Sequence, residues 1–256
     1  MISPLFRCSK CLARTTAFCG AMRSASELGA LETARLGTRK IRAGETVFHQ
    51  QDDVDKVYIV LSGWVYLYHL LDDDRRQITR FAMRGDSFGV IAPGRHRVDF
   101  GAEAMADTTI CVLSNSQIAG LRERHPAFCD SLFEQIEADE YAMMDLLTTV
   151  GRRNAAERVA FLLNFIYQRA LSRGLADESG SVQFPASQIV LADALGLTAV
   201  HVNRVLRSLR ESGILQLSRG RLTIQSRERL AGLLHISETY PAHRHGREPT
   251  HRVGTG

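Results

Sequence analysis

The sequence predicts an α+β protein: an N-terminal β-roll, then one long amphipathic helix, then a C-terminal winged helix-turn-helix. Three observations carry that prediction. Residues 26–121 hold short apolar runs punctuated by glycine. Residues 122–151 hold an apolar stripe at helical spacing. Residues 152–236 hold capped helices followed by a basic hairpin. A cysteine-bearing arm, 1–25, precedes them, and a tail, 237–256, follows.

A chain of 256 residues suits one or two domains. With 45% apolar and 23% charged residues it has an ordinary globular composition. A formal charge of +4 is mildly basic, so any nucleic-acid footprint is expected to be local. No apolar run approaches the roughly 18–20 residues of a transmembrane helix. Polar residues interrupt the N-terminus where a signal peptide needs a continuous apolar stretch. A cytoplasmic protein without a membrane partner is expected. No nucleophile–base pair or phosphate-binding loop stands out, so catalysis is not expected.

In the roll, "KIRAGETVFHQ" (40–50) reads as strand, Gly44 turn and strand. In "VYIVLSGWVYLYHLL" (57–71), two runs rich in Val, Ile, Tyr and Trp flank Ser62-Gly63, which predicts a hairpin. Turns are expected at "RGDSFG" (84–89) and "APGR" (92–95), and a last strand in "AMADTTICVLS" (104–114). Short strands with spaced glycines suit a roll or barrel.

The long helix has Pro126 near its start, and Gly151 is expected just past its end. Phe128, Leu132, Ile136, Met143, Leu147 and Val150 recur at helical intervals. Such a stripe can lie on its own domain or on a second copy of itself. Pairing is the expected use, with Leu132, Ile136, Met143, Leu147 and Val150 as dimerisation residues. A second helix follows in "NAAERVAFLLNFIYQRAL" (154–171), with Val159, Leu162, Leu163, Ile166 and Leu171 on its apolar face.

The clearest signal is "SQIVLADALGLTAVHVNRVLRSLRESGIL" (187–215). Ser187 can cap a first helix, Gly196 permits a sharp turn, and Thr198 can cap a second helix ending at Gly213. Two helices joined by a tight glycine turn are the DNA-binding arrangement. Val202, Val205, Leu206 and Leu209 share an inner face; Val200, Asn203, Arg204 and Arg207 share an outer one. Arg204 is placed to read guanine and Asn203 adenine, while Arg207 and Arg210 suit phosphates. "ILQLSRGRLTI" (214–224) reads as a wing with Arg219 and Arg221 at its tip. The tail, with His243, His245 and His251, is expected to be disordered.

"CSKCLARTTAFC" (8–19) gathers Cys8, Cys11 and Cys19 in an arm that holds Arg7, Lys10 and Arg14 and no acid. Alone, these thiols suit metal ligands, disulfide partners or a redox pair. Five cysteines in a reducing compartment argue against a disulfide framework. A thioredoxin-like pair needs a βαβ context, which is missing.

Residues 25–235 resemble the Crp/Fnr superfamily of bacterial transcription regulators, through the roll, the helix before "GRRNAAERVAFLL", and "LADALGLTAVHVNRVLRSLRESGIL". The arm, together with Cys111 in "AMADTTICVLS", is similar to the oxygen-sensing Fnr branch, which has three N-terminal cysteines and a fourth at this roll position. The resemblance implies a homodimer holding a 4Fe–4S cluster in the absence of oxygen. It implies a two-fold symmetric double-stranded DNA operator and RNA polymerase as a further partner. It makes Cys8, Cys11, Cys19 and Cys111 the metal ligands. Cys129 falls outside the pattern and is expected to be a buried apolar residue. Four thiolates leave the cluster at about −2; Arg7, Lys10 and Arg14 are expected to offset that charge and to lower the thiol pKa values. Losing the cluster would free the arm, weaken the dimer and end DNA binding. Alternatives are zinc on the same thiols, an unliganded arm, nitric oxide as the signal, or a redox or zinc protein whose helical domain binds a protein.

Two departures from the family matter. "GVIAPGRHRVDFGA" (89–102) has Val90 where Crp has Glu, and Asp99-Phe100 where Crp has Arg-Ser. An acid there repels a cyclic phosphate, so cyclic AMP is not expected. Val200 stands where Fnr-type readers carry Glu. A Glu accepts from a cytosine amine, whereas Val touches only a thymine methyl. A different operator is expected.

Overall fold

Two four-stranded antiparallel sheets form the roll, and the alternation of side chains along their strands decides what covers each. The computed structural model describes residues 7–15, 17–90 and 97–236; the APGR turn and the expected disordered tail lie outside the described residues. The first sheet orders β1 (Arg35–Ile41), β8 (Thr108–Ser114), β3 (Lys56–Ser62) and β6 (Ser87–Phe88). The second orders β2 (Thr46–Phe48), β7 (Gly101–Ala104), β4 (Val65–Leu70) and β5 (Arg76–Ala82).

Successive strand residues face opposite sides. Tyr58, Val60, Ile110 and Val112 point between the sheets, with Val65 and Leu67 of β4 opposite them. Val57, Ile59, Cys111 and Leu113 point out of the first sheet. Trp64, Tyr66 and Tyr68 point out of the second. All of these are buried, so both outer faces are covered.

The hairpin expected at Ser62-Gly63 is not formed. β3 pairs with β6 and β8, whereas β4 pairs with β5 and β7 in the other sheet. Ser62-Gly63 is a corner between sheets. Gly63 has φ +84°, and a Cβ there would collide with Thr108 and approach the Asp107 carbonyl to 2.6 Å. Only glycine fits so close an approach at positive φ. Thr108 Oγ1 accepts the Trp64 N–H at 3.1 Å and closes the corner.

Two 3₁₀ turns (Cys8–Lys10 and Leu12–Thr15), α1 (Ala17–Gly20) and α2 (Ala25–Ala34) lead into the roll. A capping box between Ser24 and Glu27 starts α2. The single helix expected over 122–151 is interrupted. α3 (Asn115–Arg124) ends before His125, and α4 (Pro126–Arg152) starts after it. Pro126 has no N–H to extend α3 and forces His125 into an extended conformation.

One buried cluster joins Ala13, Cys19 and Met22 of the arm to Ile59 and Cys111 of the roll and to Phe128 and Leu132 of α4. Leu132 is therefore a seat for the arm and not part of an unpartnered stripe. Val150, also expected at a dimer face, is partly buried, with its Cγ1 beside Gly196. The exposed stripe is Phe133, Ile136, Met143, Met144 and Leu147, all more than half exposed.

The head comprises α5 (Ala155–Ser172), β9 (Val182–Gln183), α6 (Gln188–Leu195), α7 (Ala199–Glu211), β10 (Leu215–Ser218), β11 (Arg221–Ile224) and α8 (Arg227–Leu234). It shares a core with the outer face of the second roll sheet. Phe184 meets Trp64 and Phe81 edge-on, at 5.1 and 5.5 Å between centroids. Among the described residues no single helix is long and apolar enough to cross a membrane.

Candidate functional site

Cys111 lies on β8, between Thr38 of β1 and Ile59 of β3. The odd–even pattern of β8 turns it out of the roll and toward the arm. Cys8, Cys11, Cys19 and Cys111 all line one cavity, whose other walls are Arg14 and apolar residues such as Leu31, Ile59 and Leu113. The structure thus brings together four residues drawn from two distant stretches of sequence. Among the described residues, no three His, Cys, Asp or Glu side chains form a group that could hold a metal ion.

The arm is held by α2. The Cys8 N–H donates to Glu32 Oε1 at 2.7 Å, and the Cys11 N–H closes its turn on the Cys8 carbonyl at 3.2 Å. All four thiols are free. Burial pushes Cys8 up, pushes Cys19 well up, and pushes Cys111 up to about 12; neighbouring thiols add to each. The expectation that Arg7, Lys10 and Arg14 lower these values fails: all three are exposed, Arg14 at the rim of the cavity, and burial of the thiols outweighs them. The cation that pulls Cys8 and Cys111 down is Arg35 at the start of β1. Cys129, expected to be buried, is only partly so, and it does not line the cavity.

In the head, α6 and α7 meet at 104°. Ser187 caps α6 by accepting the Val190 N–H, and Gly196 ends it at φ +62°. Thr198 caps α7 by accepting the His201 N–H. Val202, Val205 and Leu209 are buried. Val200, at 71% exposure, shares the outer face with Asn203, Arg204, Arg207 and Arg210. The Arg204 and Arg210 side chains make no hydrogen bond or ion pair among the described residues, whereas Arg207 Nε donates to Glu211 at 3.0 Å. Asn203 Nδ2 donates to Gln188 Oε1 at 3.0 Å, across the turn. The wing turns through Arg219 and Gly220, both at positive φ. Arg219 is exposed, but Arg221 is ion-paired with Asp177. Sequence reasoning missed that pair, the Gln188–Asn203 bond and the Glu32–Cys8 bond. Each joins residues too far apart for a local pattern to show.

The family model for the cyclic nucleotide-binding domain matches residues 38–125, and that for the Crp-like helix-turn-helix domain matches residues 157–233. The chain is 34% identical over 228 residues to the nitrogen fixation regulation protein FixK of Bradyrhizobium diazoefficiens, covering 88% of this chain and 93% of that one. It is 30% identical to the transcriptional activator protein FnrL of Cereibacter sphaeroides, covering 83% and 85%. The structure of FixK2 from Bradyrhizobium japonicum superposes with a TM-score of 0.69 at 28% identity, over 77% of this chain and 96% of that one. The chain belongs to the Crp/Fnr family and is a DNA-binding transcription regulator of that type.

Proposed function

We propose that this regulator senses oxygen through a 4Fe–4S cluster held by Cys8, Cys11, Cys19 and Cys111. One observation carries the reading: the arm and the roll bring four thiols to the same cavity. The donor chemistry suits the group, since a four-iron cluster takes one soft thiolate per iron, and holding it would require the thiols to close up from the positions they take here. When bound, the cluster supplies an oxygen-labile link between arm and roll. The chain's own residues do the rest. Cys8, Cys11 and Cys19 fasten the arm to the strand of Cys111. Because Cys19 packs with Phe128 and Leu132, fastening the arm braces the start of α4. Beside and beyond that seat, α4 presents exposed Phe133, Ile136, Met143, Met144 and Leu147 to a second copy of the chain. The pair presents two copies of α7 to a two-fold symmetric operator. Arg204 reads a base edge, Val200 touches a thymine methyl, and Arg210 and Arg219 hold phosphates. The protein acts by binding and not by catalysis.

Cyclic AMP is not the ligand in this reading. Phe48, Tyr58, Phe88 and Phe100 pack against one another between the sheets at centroid distances of 5.3–6.0 Å, and Asp99 presents a negative charge near the expected phosphate position.

The test is anaerobic purification with iron and sulfide analysis and a visible spectrum. Roughly four irons and four sulfides per chain are expected, with loss in Cys111→Ser and retention in Cys129→Ser. A colourless protein carrying zinc would overturn the reading, and so would a metal-free protein.

A further inference from the structure

The head is fixed to the roll of its own chain at two polar points as well as through an apolar core. At the first, Arg76 of β5 pairs with Asp193 of α6 at 2.9 Å, and Gln77 Nε2 donates to the Ala194 carbonyl at 3.0 Å. Arg76 is itself held from behind. Its Nη1 donates to Tyr66 Oη at 2.6 Å and to Glu103 at 3.3 Å, and its guanidinium lies over the Tyr66 ring at 4.9 Å. At the second, buried Asp86 of the roll accepts from Arg169 of α5 at 2.9 and 3.0 Å and from Arg173, the C-cap of that helix, at 2.7 Å. Arg169 also donates to the Phe81 carbonyl at 3.0 Å.

Only Arg153 and Asn154 join α4 to α5. A two-residue elbow cannot by itself fix the angle between two helices. The first point grips the helix that packs against the reading helix, yet it leaves the outer face of α7 open. Buried ion pairs add little to net stability, and their best-attested use is to select one arrangement over others.

We infer that Arg76, Gln77 and Asp193 are positioning residues for operator recognition. They fix where α7 stands relative to α4 and so set the half-site spacing that the regulator accepts. The inference rests on the two-fold operator reading above. It assigns the roll, and not the elbow, the job of aiming the reading helix.

Half-site spacing tests it, because a merely structural defect would lower binding to every spacing alike. Inserting two base pairs between half-sites moves them about 7 Å apart and rotates them by about 70°. The metal-loaded wild-type protein should lose at least about tenfold in affinity on that insertion. The Gln77→Ala/Asp193→Ala variant should lose less than about threefold, while keeping the wild-type preference at the base read by Arg204. Gln77→Ala alone removes one side-chain bond to the head and one to the Ile78 carbonyl, and serves if the double variant does not fold; it should shift tolerance the same way. Variants with wild-type spacing preference would overturn the inference, as would a wild-type protein indifferent to spacing. Failure of the wild-type protein to bind any symmetric duplex would instead sink the operator reading, and this inference with it.

Discussion

Cys19 of the arm and Leu132 of the long helix share one buried cluster, each only 7% exposed. This cluster ties the thiol-bearing arm to the start of the helix that carries the exposed stripe. Leu132→Ala should therefore cost about 2–5 kcal/mol of stability and make the arm easier to cleave with protease. Thermal melts and limited proteolysis report both. A melt unchanged from wild type would contradict the seat assigned to Leu132.

The outer stripe makes the opposite prediction. Leu147 is 73% exposed, so Leu147→Glu should change the stability of a single chain by no more than about 0.5 kcal/mol. The same substitution should break the dimer by placing a charge in an apolar contact. Sedimentation of the metal-loaded protein should give a monomer, with operator binding lost. A dimer of wild-type affinity would move the interface elsewhere.

On DNA, Arg204→Ala should cost about 1–3 kcal/mol and relax preference at one base pair. Arg219→Ala should weaken binding to all sequences alike and reduce the salt slope by about 0.9. Arg221→Ala should do less than Arg219→Ala, because Asp177 already engages Arg221. Gln188→Ala should relax preference at the position read by Asn203, since it removes the acceptor that fixes the Asn203 amide. Competition binding over a library of operator variants measures all four.

Asp86 sets a pH dependence. Burial alone would raise its pKa, but Arg169, Arg173 and Arg80 outweigh burial and hold the carboxyl well below the usual range. Its folded pKa thus lies below the unfolded value of about 3.9. Its contribution is full above that value and is lost as pH falls through the folded pKa. Asp139, raised by burial although Arg80 lies beside it, opposes this weakly. Urea midpoints should begin to fall as pH drops below about 5 and go on falling below about 3, toward the folded pKa, and Asp86→Asn should flatten that fall. Asp86→Asn should also cost about 3–5 kcal/mol at pH 7, because Arg169 is left buried with neutral acceptors in place of the Asp86 carboxylate. A midpoint independent of pH in the wild-type protein would contradict the Asp86 account.

The head was readable from sequence because its signals are local. Ser187, Gly196 and Thr198 mark helix ends within a few residues of what they govern. The roll was readable in kind but not in pairing. The apolar run from Val57 to Tyr68 looked like a hairpin, yet it lacks the polar alternation of a sheet with one wet face. That lack signals burial on both faces, and here the arm and the head provide the two covers. The thiol set was legible only through family resemblance, since nothing local connects Cys111 to the arm. The charges that matter most, Arg35 beside the thiols and Asp86 between roll and head, carried no sequence mark at all. Their roles arise from contacts made only in the folded chain. Leu132 and Phe133 show the limit of periodicity: a stripe shows that a helix has an apolar side, but one residue of rotation decides which neighbour that side meets.

The central claim, that oxygen acts through the four thiols on dimerisation and DNA binding together, is tested most directly on one anaerobic sample. Its mass in solution and its affinity for a symmetric operator are measured before and after a brief exposure to air. The account predicts a dimer that binds the operator before air, and a weakened dimer with at least about tenfold lower affinity afterwards. A Cys111→Ser protein should behave from the start as the air-exposed one does. Unchanged mass and unchanged affinity after the cluster's iron has been lost would contradict the claim.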